Sequence, residues 1–127
     1  MNPEMYNYLR PLIAAEGGNR EYLIQVFTLA KNGIEEHVAT IATLCGAEGD
    51  NPDTTVELQE IAVAVHRLTN VITALRLEEP ARRLNSVEGA ARSGVADTTC
   101  REYAGIEPVL RQIQEEIDRG LAELSEG

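Results

Sequence analysis

A chain of 127 residues, 43% of them apolar, suits one domain over residues 1–127 with one modest core. One Phe, four Tyr and no Trp leave that core to Leu, Ile, Val and Ala, which favours packed helices over a β-sandwich. A net charge of −10, from 11 basic and 21 acidic residues, argues against nucleic acid and anionic membrane surfaces as partners.

Five helical segments are expected in chain order. The first runs from about Pro3 to Ala15, with Pro3 in its first turn and Pro11 disturbing it. Gly17, Gly18 and Asn19 then break the chain. The second runs from about Arg20 to Cys45. Leu23, Val26, Phe27, Ala30, Ile34, Val38, Ile41 and Leu44 recur there at helical spacing. Gly33 inside it is open to two readings, close packing or mere tolerance.

The stretch from Gly46 to Pro52 reads as a loop, and Thr54 with Glu57 fits a capping box for the third helix. That helix is expected over Glu57 to Leu75. A tight joint follows at Leu77 to Glu79, and Pro80 suits the first turn of a fourth helix that ends at Gly94. Thr99 with Glu102 would cap a fifth, interrupted around Gly105 and Pro108. The short connections imply antiparallel neighbours. The expected fold is all-α: an antiparallel four-helix bundle, up-down-up-down, with a short extra N-terminal helix.

His66 stands out in the third helix. Leu58, Ile61, Val65, Leu68, Ile72 and Leu75 form one apolar stripe, and His66 points roughly 130° away from its centre. Its neighbours one turn away are Ala62, Val63, Thr69 and Asn70, all small or uncharged. An imidazole so placed is within reach of another macromolecule. Neutral imidazole offers one unprotonated nitrogen, which can attack phosphorus and carry the phosphoryl group as a phosphoramidate. Such transfer asks mainly for positioning and charge stabilisation.

The remaining chemistry-bearing residues read quietly. His37, spaced with Ile34 and Ile41, is expected at a core boundary. Arg82 and Arg83 read as solvated charges. No metal-ligand spacing, P-loop, nucleophile elbow or dinucleotide fingerprint appears, so no metal and no cofactor are expected. Cys45 and Cys100 are far apart with no C-x-x-C spacing. Two free thiols are expected, with a disulfide as the alternative. No signal-peptide pattern opens the chain and no apolar run reaches a membrane span, so a cytoplasmic protein is expected.

Residues 64–94, AVHRLTNVITALRLEEPARRLNSVEGAARSG, resemble a histidine-containing phosphotransfer (HPt) domain. His66 and Leu68 match the start of that family's H-x-L-K-G pattern, and Leu75 its apolar position before the turn. Val87, Glu88, Ala90, Arg92 and Gly94 follow its L-E-x-A-x-R-x-G end without a gap, with Val87 for the usual Leu. Three positions depart from the pattern: Thr69 replaces the usual Lys, Asn70 the usual Gly, and Arg76 the common Gly of the helix turn.

The resemblance implies a phosphoryl carrier of a two-component phosphorelay rather than a self-contained enzyme. His66 would accept the phosphoryl group from a receiver-domain aspartate or a histidine kinase. Ala62, Val63, Arg67, Thr69 and Asn70 would surround it or form the docking surface, with Glu88 and Arg92 facing it from the fourth helix. The protein would be a monomer or weak dimer. A second reading is a non-transferring HPt-like adaptor that binds a receiver or kinase domain. A third is a helical interaction module unrelated to phosphorelay.

Overall fold

The apolar periodicity becomes helix almost everywhere it is written. The computed structural model describes residues 1–46 and 55–126. After a 3-10 turn at Pro3–Met5 come α1 (Arg10–Glu16), α2 (Arg20–Cys45), α3 (Thr55–Ala74), α4 (Glu78–Arg92) and α5 (Ala96–Glu126). Each long helix packs on its neighbour in sequence, and α5 returns to α2 to close the ring. The α2–α5 pair is antiparallel. Cys45 at the end of α2 meets Cys100 at the start of α5, while Arg20 Nε donates to the Leu124 carbonyl, 2.9 Å away, at the other end. The core is aliphatic, with Tyr6, Phe27 and Tyr103 as its buried aromatic residues among those described.

Local chemistry sets the element ends. Asn19 caps α2 by accepting the amide of Tyr22. α4 ends on Gly94 at φ 79°, where the amides of Gly94 and Val95 close on the carbonyls of Ala91 and Ala90, a Schellman motif. α3 ends the same way, with Arg76 and Leu77 closing on Thr73 and Ile72. There the left-handed residue is Arg76, at φ 63°. A side chain in that conformation costs about 1 kcal/mol. Arg76 gains a partner in exchange, since its Nη2 lies 3.0 Å from Glu16 Oε1. Thr54 of the expected capping box lies outside the described residues.

Five expectations need correction. The first segment is not one helix but a 3-10 turn and a separate α1, with Pro11 in the first turn of α1. No side chain caps α1. Instead the Glu116 carboxylate, buried on α5, accepts the successive amides of Asn7, Tyr8 and Leu9 at 2.9, 3.2 and 3.1 Å. A carboxylate more than 100 residues away bends the chain at a point that local sequence does not mark.

The fifth helix is not interrupted. α5 runs unbroken through Pro108. A proline there leaves the Ala104 carbonyl without its helical donor. Close by, Arg83 Nη2 donates to the next carbonyl, that of Gly105, at 2.9 Å. Arg83 is therefore tied to α5 rather than merely solvated. Thr99 is no cap either. It is buried within α5, and its hydroxyl donates to the Val95 carbonyl.

The cysteines are not free thiols. Antiparallel packing of α2 on α5 brings their Cα atoms to 5.7 Å, and they form a disulfide. The spacing of the two residues could not reveal this, because the register of α5 against α2 is set by the whole core.

Gly33 resolves to close packing. A Cβ there would stand 2.7 Å from Val71 Cγ2 of α3. Gly120 does the same between α5 and α2, where a Cβ would stand 2.9 Å from Phe27 Cε2. Among the described residues, no helix is long and apolar enough to cross a membrane.

Candidate functional site

α3 positions His66 by turning its apolar stripe inward. Leu58, Ile61, Val65, Leu68, Ile72 and Leu75 are all buried, which leaves His66 on the outer side. Its side chain is 58% exposed. Across the α3–α4 groove, Glu88 Oε1 lies 3.2 Å from His66 Nδ1. The Glu88 side chain is only 15% exposed, and its other oxygen accepts from Arg92 Nε at 2.7 Å. Arg92, Glu88 and His66 thus form a chain in which the carboxylate bridges two donors.

This geometry has a chemical consequence. A carboxylate can only accept, so the nitrogen facing it carries the hydrogen. In the neutral ring that assigns the proton to Nδ1 and leaves the Nε2 lone pair free. Glu88 also fixes the plane of the ring, as a carboxylate does behind a catalytic or metal-bound histidine. Burial works to raise the Glu88 pKa. The hydrogen bonds from Arg92 and His66, with the charge of Arg92, outweigh it and hold the carboxyl below its ordinary value. The acceptor is therefore ionised near neutral pH.

The other residues expected around His66 separate into two groups. Val63, Arg67 and Asn70 are exposed on the outer face of α3. Ala62 and Thr69 are not. Ala62 is 0% exposed and Thr69 8%, and the Thr69 hydroxyl donates back to the Val65 carbonyl at 2.8 Å. The expectation that Thr69 belongs to the surface around His66 is corrected. Its methyl-bearing carbon and its place one turn from Val65 make it part of the α3 packing face. Ala62 likewise belongs to the core. Arg92 reaches His66 only through Glu88.

One part of this surface is not foreshadowed by the histidine's own helix. Leu29 on α2 is 71% exposed and, with Val26, Ala30, Asn70, Val71 and Ala74, lines a largely apolar groove of about 270 Å³ between α2 and α3. The groove touches Asn70, one helical turn from His66. A signal was present in the sequence, since Leu29 points roughly 120° away from the apolar stripe of α2. On the same α2–α3 seam, past the Gly33–Val71 contact, His37 is half-buried and lines a second recess with Glu36, Glu60, Val63 and Arg67.

No family model, curated protein or solved structure matches this chain. The site therefore stands on its own geometry: an exposed imidazole on a rigid helix, held by a nearly buried carboxylate, beside an apolar groove.

Proposed function

We propose that this chain, residues 1–127 as one HPt-like unit, is a histidine phosphotransfer protein of a two-component phosphorelay. In this reading Nε2 of His66 attacks the phosphorus of a receiver-domain aspartyl phosphate. The N–P bond forms as the P–O bond to the aspartate breaks, and the aspartate leaves as a carboxylate. The Nδ1 proton stays on the ring, where Glu88 balances the positive charge that develops. Return to a second receiver reverses the step. A histidine kinase could supply the phosphoryl group in place of the first receiver.

The Glu88–His66 contact is the single observation that carries this reading. It presents one ring nitrogen outward in a fixed tautomer. Val63, Arg67 and Asn70 supply the surrounding docking surface, with Arg67 and the Asn70 amide as donors toward phosphoryl oxygens. The unit works without ATP, metal or cofactor of its own, as a monomer or weak dimer in the cytoplasm, with no nucleic acid or membrane partner. The test is incubation with phosphorylated receiver domains followed by detection of acid-labile phosphate. Label on the wild type and none on His66→Ala is expected. Equal label on both sinks the carrier role.

A second reading rests on Thr69. The family's usual lysine at this position would offer a charged donor, whereas Thr69 is buried with its hydroxyl spent on Val65. An adaptor that binds a receiver without transfer needs no such donor. Receiver binding that survives His66→Ala, with no phosphate uptake by the wild type, selects the adaptor.

A further inference from the structure

The two ends of the bundle are closed by different means, and one of them is covalent. At the Cys45–Cys100 end, among the described residues, α3 and α4 supply the buried apolar side chains, Leu58, Ile61, Val87 and Ala91, and α2 and α5 add few of their own. Ile41 is the last fully buried apolar residue of α2, and Ala39, Thr40, Ala42 and Thr43 are exposed. On α5 the first fully buried apolar residue is Tyr103, and the one buried residue before it is the polar Thr99. Leu44, Cys45, Ala96 and Cys100 are all half-buried. Leu44, Cys45 and Ala96 rest on the edge of the core, and the disulfide is the covalent tie between the last turn of α2 and the first two turns of α5.

We propose that the Cys45–Cys100 bond is a redox latch, whose reduction opens this end of the bundle and leaves the opposite end folded. The reductant is a dithiol. One of its thiolates attacks the sulfur of one cysteine, forming a mixed disulfide and releasing the other cysteine as a thiolate, which takes up a proton. The second thiol of the reductant then displaces the first cysteine. The dithiol loses two electrons and two protons to become a disulfide, and Cys45 and Cys100 each end as a thiol. Both cysteines are half-buried and lie at the edge of the core, which is where an attacking thiolate would approach. With the bond gone, the segments 42–45 and 96–102 lose their cross-link, while 96–102 keeps the Ser86 Oγ hydrogen bond to Glu102 and the buried Thr99. The Glu116 contacts and the Arg20–Leu124 hydrogen bond lie elsewhere and are untouched.

The test is amide and Cα NMR on the full chain, oxidised and then reduced with dithiothreitol, with Cys45→Ser/Cys100→Ser as a permanently open form. Helical Cα shifts over 42–45 and 96–102 are expected to fall by more than about half on reduction, as in local fraying. Those over α1 and 116–124 stay at their oxidised positions. The double variant reproduces the reduced spectrum. Three results overturn the proposal: two free thiols in air-oxidised protein, reduced shifts that change only at the cysteines and their immediate neighbours, or loss of dispersion throughout the chain.

Discussion

The end of the bundle that holds α1 and the end that holds the disulfide solve the same problem with unlike chemistry. At the α1 end, Tyr6, Leu9, Leu12, Ile13, Leu23, Phe27, Leu75 and Leu124 are buried, and the segment leading into α1 hangs on the Glu116 carboxylate. Arg119 adds a cation–π contact, 4.6 Å above the Tyr6 ring, and donates to the Met5 carbonyl. At the other end, α3 and α4 bury Leu58, Ile61, Val87 and Ala91, and α2 and α5 are joined by two half-buried cysteines. Closure by packing is distributed, so no one bond decides it. Closure by a cross-link is concentrated in one bond that chemistry can make or break. His66 lies between the two, on a stretch of α3 whose inward face is fully packed.

The comparison is sharpest under reduction. Joining residues 55 apart in sequence constrains the unfolded chain by about 4 kcal/mol in the chain-entropy picture. Urea unfolding of oxidised and reduced protein should differ by that order, and a difference near zero would mean the bond adds little. Next is Glu116→Ala, which orphans three buried or half-buried amides and should cost about 3 kcal/mol in the same assay. Glu116→Gln keeps one acceptor oxygen and should lose less. If the two variants are equal, the carboxylate is not what ties down this segment.

Smaller effects probe the packing between helices. Gly120→Ala and Gly33→Ala would push a methyl against Phe27 and Val71 and should each cost about 1–3 kcal/mol. Arg76→Gly relieves the left-handed backbone but gives up the Glu16 contact, so it should shift stability by no more than about 1 kcal/mol, in the stabilising direction. The smallest effect is pH-dependent. Glu88 has a lowered folded pKa, so its contribution is present above the unfolded carboxyl value and is lost as pH falls through the folded one. The stability gap between wild type and Glu88→Gln should shrink with acidification below the ordinary carboxyl range. A gap that widens there would reverse the sign.

Much of this was legible in the residues themselves. The 3.6-residue spacing carries α2, α3 and α4 with bounds within a few residues, and Gly94 marks the end of α4 by the φ it must adopt. Helical geometry alone puts His66 outside the core, and the one-turn spacing of Glu88 and Arg92 anticipates their pairing. What was not legible depends on distant partners. Glu116 looks like any surface acid until α5 is laid against residues 7–9. Pro108 looks like a break until tertiary packing holds α5 in one piece. Thr69 looks available to a visitor because its side chain is polar, yet its angle on the helix sits closer to the packed stripe than that of His66 does. The cysteine pair needs the α2–α5 register, and Leu29 needs α3 beside it before it becomes the wall of a groove.

The most direct measurement of the central claim is a 15N NMR spectrum of the histidine rings before and after incubation with a phosphorylated receiver domain. The expected start is a His66 ring whose Nδ1 carries the hydrogen that faces Glu88, and the expected product carries phosphorus on Nε2 of that residue alone. A ring protonated at Nε2 instead, a phosphoryl group on Nδ1, or no phosphohistidine with any charged receiver would contradict the account.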